Sequence, residues 1–211
     1  MSMETACDEV SELEALERRW ARCWAPGEVA RRLAGAEVPW YVAAGWALDL
    51  FRGGQSRTHH DIEVGVPAGR FAEIRSRFPG LVFDAVGDGR IREAASAEDL
   101  AETHQTWLRD PATGDYLLDV FREPHDGPTW ICRRDPSLRL PYASIIHHTP
   151  DGIPYLIPEL VLLFKAKATR PKDQADFEGV LPLLSAAQRS ALAGWLTRVH
   201  PAHAWLAALD S

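Results

Sequence analysis

The sequence predicts an α/β fold in which a β-sheet is flanked by helices and followed by a helical C-terminal subdomain. Three observations lead to this expectation. Residues 40–67 are typical of a strand, a tight turn, a short helix, a glycine-rich loop and a second strand. Apolar runs separated by turn residues continue to residue 156, as expected for further strands. From Pro158 onward, apolar residues recur at helical spacing.

The composition is that of an ordinary globular protein. Of the 211 residues, 46% are hydrophobic and 25% are charged, with a formal net charge of -7. This acidity disfavours nucleic acid as a partner, because phosphate backbones need a basic surface. Cys7, Cys23 and Cys132 show neither zinc-binding spacing nor a disulfide framework, which fits a reducing cytoplasm. We also expect no signal peptide and no membrane span.

The N-terminal part of the chain predicts two helices before the first strand. Apolar residues at helical spacing indicate an amphipathic helix over residues 8–24. Pro26 suits the first turn of a second helix. Residues 40–43 then predict a strand and residues 46–51 a helix, which Gly53 ends as a C-cap.

The second strand of this stretch contains two acidic residues, Asp61 and Glu63. Because side chains alternate along a strand, both point to one face, and Ile62, Val64 and Val66 point to the apolar face. Two adjacent carboxylates repel each other, and burial makes each charge costlier. A cation between them removes both penalties, so the spacing predicts a metal site.

The preceding strand leads through Ala44 and Gly45 into a helix N-terminus. Free backbone N–H groups at that point form a potential anion site, and small side chains let phosphate oxygens approach the backbone. The alternative is a small-residue turn that allows close packing of helix and strand. The acidic pair and the basic Arg57 favour phosphate binding.

The remaining elements follow from turn residues and periodicity. Between residues 67 and 156 we expect helices over 67–77 and 97–103, and strands over 81–86, 90–92, 116–121, 129–132, 144–148 and 153–156. The paired His147 and His148 face opposite sides of a strand and are interpreted as ordinary strand residues. Helices are predicted from Pro158, over 172–184, from the capping box at Ser185 to 199, and after Pro201.

Asp119 interrupts the apolar strand over residues 116–121. An isolated acid in such a strand is expensive unless it is paired or bound to a metal. One interpretation places Asp119 on an edge strand facing water. The other makes it the third carboxylate of a site with Asp61 and Glu63.

These features resemble the nucleotidyltransferases that modify aminoglycoside and lincosamide antibiotics, in the polymerase-beta-like superfamily, and among them the aminoglycoside 2''-adenylyltransferase-like group. The resemblance covers roughly residues 38–177 and includes a later block from Tyr155 to Phe177. In two places this chain departs from the family pattern, with Ala44 in place of a glycine and Glu63 in place of the second aspartate. The motif residues are Ala44, Gly45, Trp46, Arg57, His59, Asp61, Ile62 and Glu63.

The resemblance implies both a nucleotidyltransferase-type mixed sheet and a nucleotidyl-transfer reaction. A nucleoside monophosphate would pass from ATP or another nucleoside triphosphate to a hydroxyl of a small molecule, with cationic antibiotics among the candidates. Two Mg²⁺ ions would be held by Asp61, Glu63 and Asp119, the last acting as ligand or as general base.

Phosphate binding is expected from two sources. The resemblance assigns the backbone at Ala44 and Gly45 to the triphosphate. Arg57 and either Lys165 or Lys172 would add positive charge, the alternative for both lysines being a solvated helix face. We expect an N-terminal helix over 1–25, the nucleotidyltransferase domain over 26–156 and a helical subdomain over 157–211, in a cytoplasmic monomer or homodimer.

Three other functions compete with this one. A catalytically silent protein that binds a small ligand is suggested by Ala44 and Glu63, because Mg²⁺ tolerates geometric error poorly. The dipeptide His60-Asp61 is found in metal phosphohydrolases of the HD type, but here it enters a strand and no metal-ligand histidine precedes His59. A toxin-type nucleotidyltransferase acting on protein or transfer RNA is the third, and the acidity disfavours transfer RNA.

Overall fold

The computed structural model describes residues 14–210 of the chain. The predicted helix over residues 8–24 therefore lies partly outside the described residues, as does Cys7. Within them, residues 14–19 are helical and residues 20–22 form a turn, so the helix ends before its predicted end.

The helices largely follow the predicted order. After the helical residues 14–19, the α-helices are α1 (Pro26–Arg32), α2 (Ala44–Arg52), α3 (Phe71–Arg75), α4 (Ala97–Glu102), α5 (Tyr142–Ile145), α6 (Pro158–Lys165), α7 (Pro171–Val180), α8 (Ala186–Val199) and α9 (Trp205–Leu209). Short 3₁₀ segments occupy Ala68–Arg70, Ala166–Ala168 and Leu181–Leu183.

The strands are mostly short. They are β1 (Tyr41–Val42), β2 (Glu63–Pro67), β3 (Val82–Gly87), β4 (Arg90–Arg92), β5 (Gln105–Arg109), β6 (Tyr116–Glu123), β7 (His125–Asp126), β8 (Thr129–Cys132), β9 (Asp135–Pro141), β10 (Ile146–His148) and β11 (Pro154–Leu156).

The chain divides into two compact units, each assembled from separate stretches. The first contains the described residues up to Val38 together with His59–Arg122, and the second contains Pro39–Thr58 together with the described residues from Glu123 onward. The predicted boundaries at 25/26 and 156/157 follow chain order instead and stay a prediction.

The first unit contains strands in the order β2-β6-β5-β3-β4. Strands β5 and β6, β3 and β5, and β3 and β4 pair antiparallel. The β3–β4 turn is Asp88-Gly89, and both residues have positive φ, as a two-residue hairpin turn of type I′ requires. Ile62, Val64 and Val66 are fully buried, which confirms the predicted apolar face of β2.

The second unit combines a mixed sheet with helices. β1 pairs parallel with β11, which pairs antiparallel with β10, and a separate antiparallel sheet has the order β7-β8-β9. Helix α2 packs against β11 and α6, and α6 packs against α8. The predicted α/β class with a helical C-terminal part is confirmed.

Several predicted elements differ from the structure. Pro67 precedes a 3₁₀ turn rather than an α-helix, and the α-helix starts at Phe71 and ends at Arg75. Strand β5 lies partly in a segment that the sequence left without a strand, and β9 was also missed. Polar residues interrupt the apolar pattern of both strands; those of β5 are buried or half-buried, and most of those of β9 are exposed.

Two further observations concern the whole described chain. Cys23 and Cys132 are free thiols, so no disulfide joins them. Within residues 14–210, none of the helices has the length and apolar character needed to cross a membrane.

Candidate active site

The acidic pair lies at the start of β2 in the first unit. Glu63 begins the strand, and Asp61 precedes it by two residues. Both side chains are half-buried, on either side of the fully buried Ile62. The carbonyl of Ile62 accepts a hydrogen bond from the backbone N–H of Asp119 at 2.9 Å. The third acid is therefore tied to the residue between the first two.

Asp119 is on β6, which neighbours β2, and only 3% of it is exposed. The edge-strand interpretation is therefore wrong, because β6 has a neighbour on each side and the side chain is buried. Burial raises the pKa of Asp119 well above its ordinary value, and the carboxylates of Glu63 and Asp61 act in the same direction. A hydrogen bond from Gln105 opposes this shift.

The two oxygens of Asp119 differ in their partners. Oδ2 accepts a hydrogen bond from Nε2 of Gln105. Oδ1 is buried, and no hydrogen-bond partner for it exists among residues 14–210. Trp107 lies directly opposite Asp119 on β5, and its indole N–H lowers the pKa of Asp119, although the two groups do not meet the geometry of a hydrogen bond.

The chemistry of these donors fits a magnesium ion. Carboxylate oxygens are the ligands that Mg²⁺ prefers, and a cation would both satisfy the orphaned Oδ1 and offset the repulsion among the acids. Among the described residues, no group of three or more histidine, cysteine or acidic side chains is arranged so that it could hold a metal ion.

The predicted anion turn is at the start of α2 in the second unit. The helix begins at Ala44, two residues earlier than predicted, and Ala43 provides no side-chain cap. Ala44 has φ of 49°, a left-handed conformation that L-residues other than Asn and Asp rarely adopt. The first turn of the helix has no acidic residue, which suits an anion.

The loop after α2 is held by buried Asp49. Gly53 has φ of 79° and caps the helix as predicted. Asp49 Oδ1 accepts hydrogen bonds from the backbone N–H and the hydroxyl of Ser56, at 3.1 and 2.5 Å. A helix residue thereby fixes the loop that leads to Arg57.

Arg57 and Lys165 are both engaged by buried aspartates. Arg57 donates Nε and Nη2 to the two oxygens of Asp176, each at 3.1 Å. Lys165 Nζ lies 2.7 Å from Asp173 and 3.0 Å from Asp176. We call these four residues the ion network; both its cations belong to the predicted phosphate-binding set.

The remaining lysine, three tryptophans and the paired histidines occupy varied surroundings. Lys172 is exposed near the start of α7. Trp130 is fully buried and is a core residue, whereas Trp46 and Trp107 are half-buried. His147 and His148 are exposed on β10, as expected for ordinary strand residues.

Sequence reasoning missed Gln105 and Asp49. Gln105 belongs to a segment without a clear pattern, and only the register of β5 and β6 brings it to Asp119. Asp49 had a detectable signal, since an acid on the apolar side of a helix needs a partner.

Comparison with known proteins supports the predicted resemblance. A family model described as aminoglycoside-2''-adenylyltransferase matches residues 27–109. No curated protein matches the chain.

Solved structures of two antibiotic-modifying proteins are among those that share the fold. The lincosamide antibiotic adenylyltransferase LnuA with lincomycin bound has a TM-score of 0.52 and 16% identity, covering 75% of this chain and 95% of that one. The solution structure of the antibiotic-resistance factor ANT(2'')-Ia has a TM-score of 0.54 and 17% sequence identity, and the match covers 87% of this chain and 92% of that one. ANT(2'')-Ia in complex with adenylyl-2''-tobramycin has a TM-score of 0.53 and 13% sequence identity, and the match covers 82% of this chain and 95% of that one.

These matches confirm that the chain resembles aminoglycoside and lincosamide nucleotidyltransferases, in sequence over the matched residues and in fold over most of its length. They support a nucleotidyltransferase enzyme.

Proposed function

We propose that this protein transfers a nucleoside monophosphate from a magnesium-bound nucleoside triphosphate, ATP being the first candidate, to a hydroxyl group of a small molecule. Aminoglycosides and lincosamide-like antibiotics are the acceptor classes to test first, because the matched structures are described with lincomycin and adenylyl-2''-tobramycin. The observation that supports this most is the buried carboxylate of Asp119 beside Glu63 and Asp61.

The proposed reaction is an in-line displacement at the α-phosphorus. The acceptor oxygen bonds to the α-phosphorus, the bond from that phosphorus to the bridging oxygen breaks, and pyrophosphate leaves. Asp61, Glu63 and Asp119 would hold Mg²⁺, which when bound neutralises phosphate charge and stabilises the attacking and leaving oxygens.

Asp119 is suited to a second role as general base. A carboxylate whose pKa is raised by burial accepts a proton more readily than an exposed one. The proton of the acceptor hydroxyl would then pass to Asp119 as the new bond forms. Glu63 has the charge of the aspartate found in the family but reaches one methylene further.

Backbone and cationic groups are proposed to bind the triphosphate. The N–H groups at Ala44 and Gly45 are proposed to donate to phosphate oxygens. Lys172 is exposed and is proposed to bind phosphate from the protein surface, whereas Arg57 and Lys165 act from within the ion network.

Thermal unfolding tests the proposal directly. Wild type and Asp61→Asn are heated with and without Mg²⁺ plus each nucleoside triphosphate. A ligand at 100 times its Kd adds about 2.7 kcal/mol, which raises Tm by about 5–10 °C in a chain of this size. We expect a magnesium-dependent rise in wild type and its loss in Asp61→Asn.

Acceptors are then identified by pyrophosphate release with ATP and a panel of aminoglycosides and lincosamides. Release that requires both acceptor and Mg²⁺, and that Asp61→Asn abolishes, is the expected result. Binding of triphosphate without turnover of any acceptor would favour the silent ligand-binding protein. Activity of Asp61→Asn within tenfold of wild type would contradict the metal assignment.

A further inference from the structure

Gln105 is a polar side chain in direct contact with Asp119. It lies on β5, two residues before Trp107, which is opposite Asp119 in the strand register. Its Nε2 donates to Oδ2 of Asp119. Because Gln105 is half-buried and Asp119 is buried, little water competes for this hydrogen bond.

This hydrogen bond makes the two carboxylate oxygens unequal. Oδ2 has a donor, whereas Oδ1 is buried with no hydrogen-bond partner in the described part of the chain. Holding one oxygen restricts rotation of the carboxylate, so the position of the other oxygen is also fixed. A buried acceptor without a partner costs about 1–3 kcal/mol, a cost that a bound cation or hydroxyl removes.

We propose that Gln105 is a positioning residue for nucleotidyl transfer: it holds Oδ2 of Asp119 so that Oδ1 is presented to the metal ion or the acceptor hydroxyl. This rests on the function proposed above, because it assigns a task to one oxygen of that site. Groups that orient a metal ligand typically contribute about 10–100-fold to metal affinity or activity.

A purely structural role for Gln105 is the competing explanation, and the next residue provides a matched control. Thr106 is buried, and its hydroxyl donates to the carbonyl of Val120 at 3.1 Å. This hydrogen bond joins the same two strands from the other face of the sheet. Thr106→Val therefore weakens the β5–β6 pairing without removing a contact to Asp119.

The experiment compares Gln105→Met, which keeps the side-chain length but removes the donor, with Thr106→Val and wild type. Gln105→Leu is a second variant in case the methionine disturbs folding. The Kd for Mn²⁺ alone is measured from the electron paramagnetic resonance signal of free Mn²⁺, and Tm is recorded for each protein. We expect both Gln105 variants to weaken Mn²⁺ binding about 10–100-fold, and Thr106→Val to lower Tm without changing that Kd.

A second comparison asks whether Gln105 acts through Asp119. In an Asp119→Ala background, Gln105→Met should cause no further loss of Mn²⁺ affinity, since the interaction it removes is already absent. An undiminished loss in that background would overturn the proposal.

The two proposals fail in different ways. If wild type binds Mn²⁺, Asp61→Asn loses it and the Gln105 variants match wild type, the positioning role alone is refuted. If wild type does not bind Mn²⁺, or Asp61→Asn binds it as tightly as wild type, the metal site of the proposed function is refuted and the role of Gln105 with it.

Discussion

At the scale of single residues, two positions are held in states that a stable fold alone does not favour. Ala44 has a left-handed backbone at the first residue of α2, and Asp119 has a buried carboxylate oxygen without a partner in the described chain. Such costs concentrate at functional sites, where the surrounding structure enforces them. Each leads to a stability prediction.

Ala44→Gly is expected to stabilise the protein. Relief of the left-handed conformation is worth about 1–2 kcal/mol, partly offset by about 0.4–1 kcal/mol of unfolded-state entropy. The net gain should raise Tm by about 1–4 °C. Ala47→Gly, at a fully buried position of the same helix, should instead lower Tm. A lower Tm for Ala44→Gly would show that φ is not positive at this residue.

Asp119→Asn is expected to stabilise the metal-free protein while abolishing transfer. The neutral amide removes a buried charge that is repelled by Glu63 and Asp61. A gain of about 1 kcal/mol corresponds to about 2–4 °C in Tm. Addition of Mg²⁺ and ATP should then stabilise wild type more than the variant. The exposed Asp126→Asn serves as control and should leave Tm within a degree or so of wild type.

At the scale of elements, the ion network fastens the loop after α2 to α7. Asp176 is 6% exposed and accepts from both Arg57 and Lys165, while Asp173 also binds Lys165. The contact between Arg57 and Asp176 joins residues 119 positions apart in the chain. Removing one partner of a buried ion pair leaves the other charge without compensation, which costs more than the pair contributes.

Asp176→Asn should therefore lower the free energy of unfolding by about 3 kcal/mol, at the lower end for buried pairs because Arg57 keeps a quarter of its side chain exposed. Chemical denaturation measures the change. Glu178→Gln, an exposed position on α7, should have almost no effect. Equal stability of the two variants would mean that the network is weak in solution.

The same elements illustrate what the sequence could and could not predict. The sequence singled out Asp61, Glu63 and Asp119, because acidic side chains in apolar strands need a compensating partner. The buried side chains on the opposite face of β2 confirm the predicted face, and they are Ile62, Val64 and Val66. The contact between Gln105 and Asp119 could not be predicted from the sequence, because it depends on the register of strands β5 and β6. The aspartate partners of Arg57 and Lys165 were equally hidden, since no local pattern pairs residues 57 and 176.

At the scale of the whole molecule, buried acids of two kinds shape the response to pH. Burial raises the pKa of Asp119, Glu123 and Glu159, so their ionised forms destabilise the fold at neutral pH and protonation relieves this. For Asp173 and Asp176, burial is outweighed by hydrogen bonds from Arg170, Lys165 and Arg57, which hold the pKa of each below its ordinary value.

Stability should consequently pass through a maximum on the acid side of neutrality. As pH falls from 7 toward about 5, the carboxyls with raised pKa take up protons and Tm should rise. Below about pH 4, the carboxyls of the ion network, whose pKa is lowered, are protonated in turn and Tm should fall steeply. Thermal unfolding between pH 3 and 8 measures this curve. A monotonic decline from pH 7 would contradict the raised pKa values, and Asp119→Asn should flatten the rise.

The two compact units are interleaved along the chain, so neither is complete when its first stretch leaves the ribosome. Pro39–Thr58 emerges before its partners from Glu123 onward, with the 64 residues of His59–Arg122 synthesised between them. At about 5–20 residues per second this interval lasts several seconds. Tyr41, Val42 and Leu48, all buried in the finished fold, would be exposed in the nascent chain throughout it. We therefore expect ribosome-associated chaperones to bind this segment. The yield of folded protein should depend on these chaperones more strongly than the yield of a protein whose domains are contiguous in the chain.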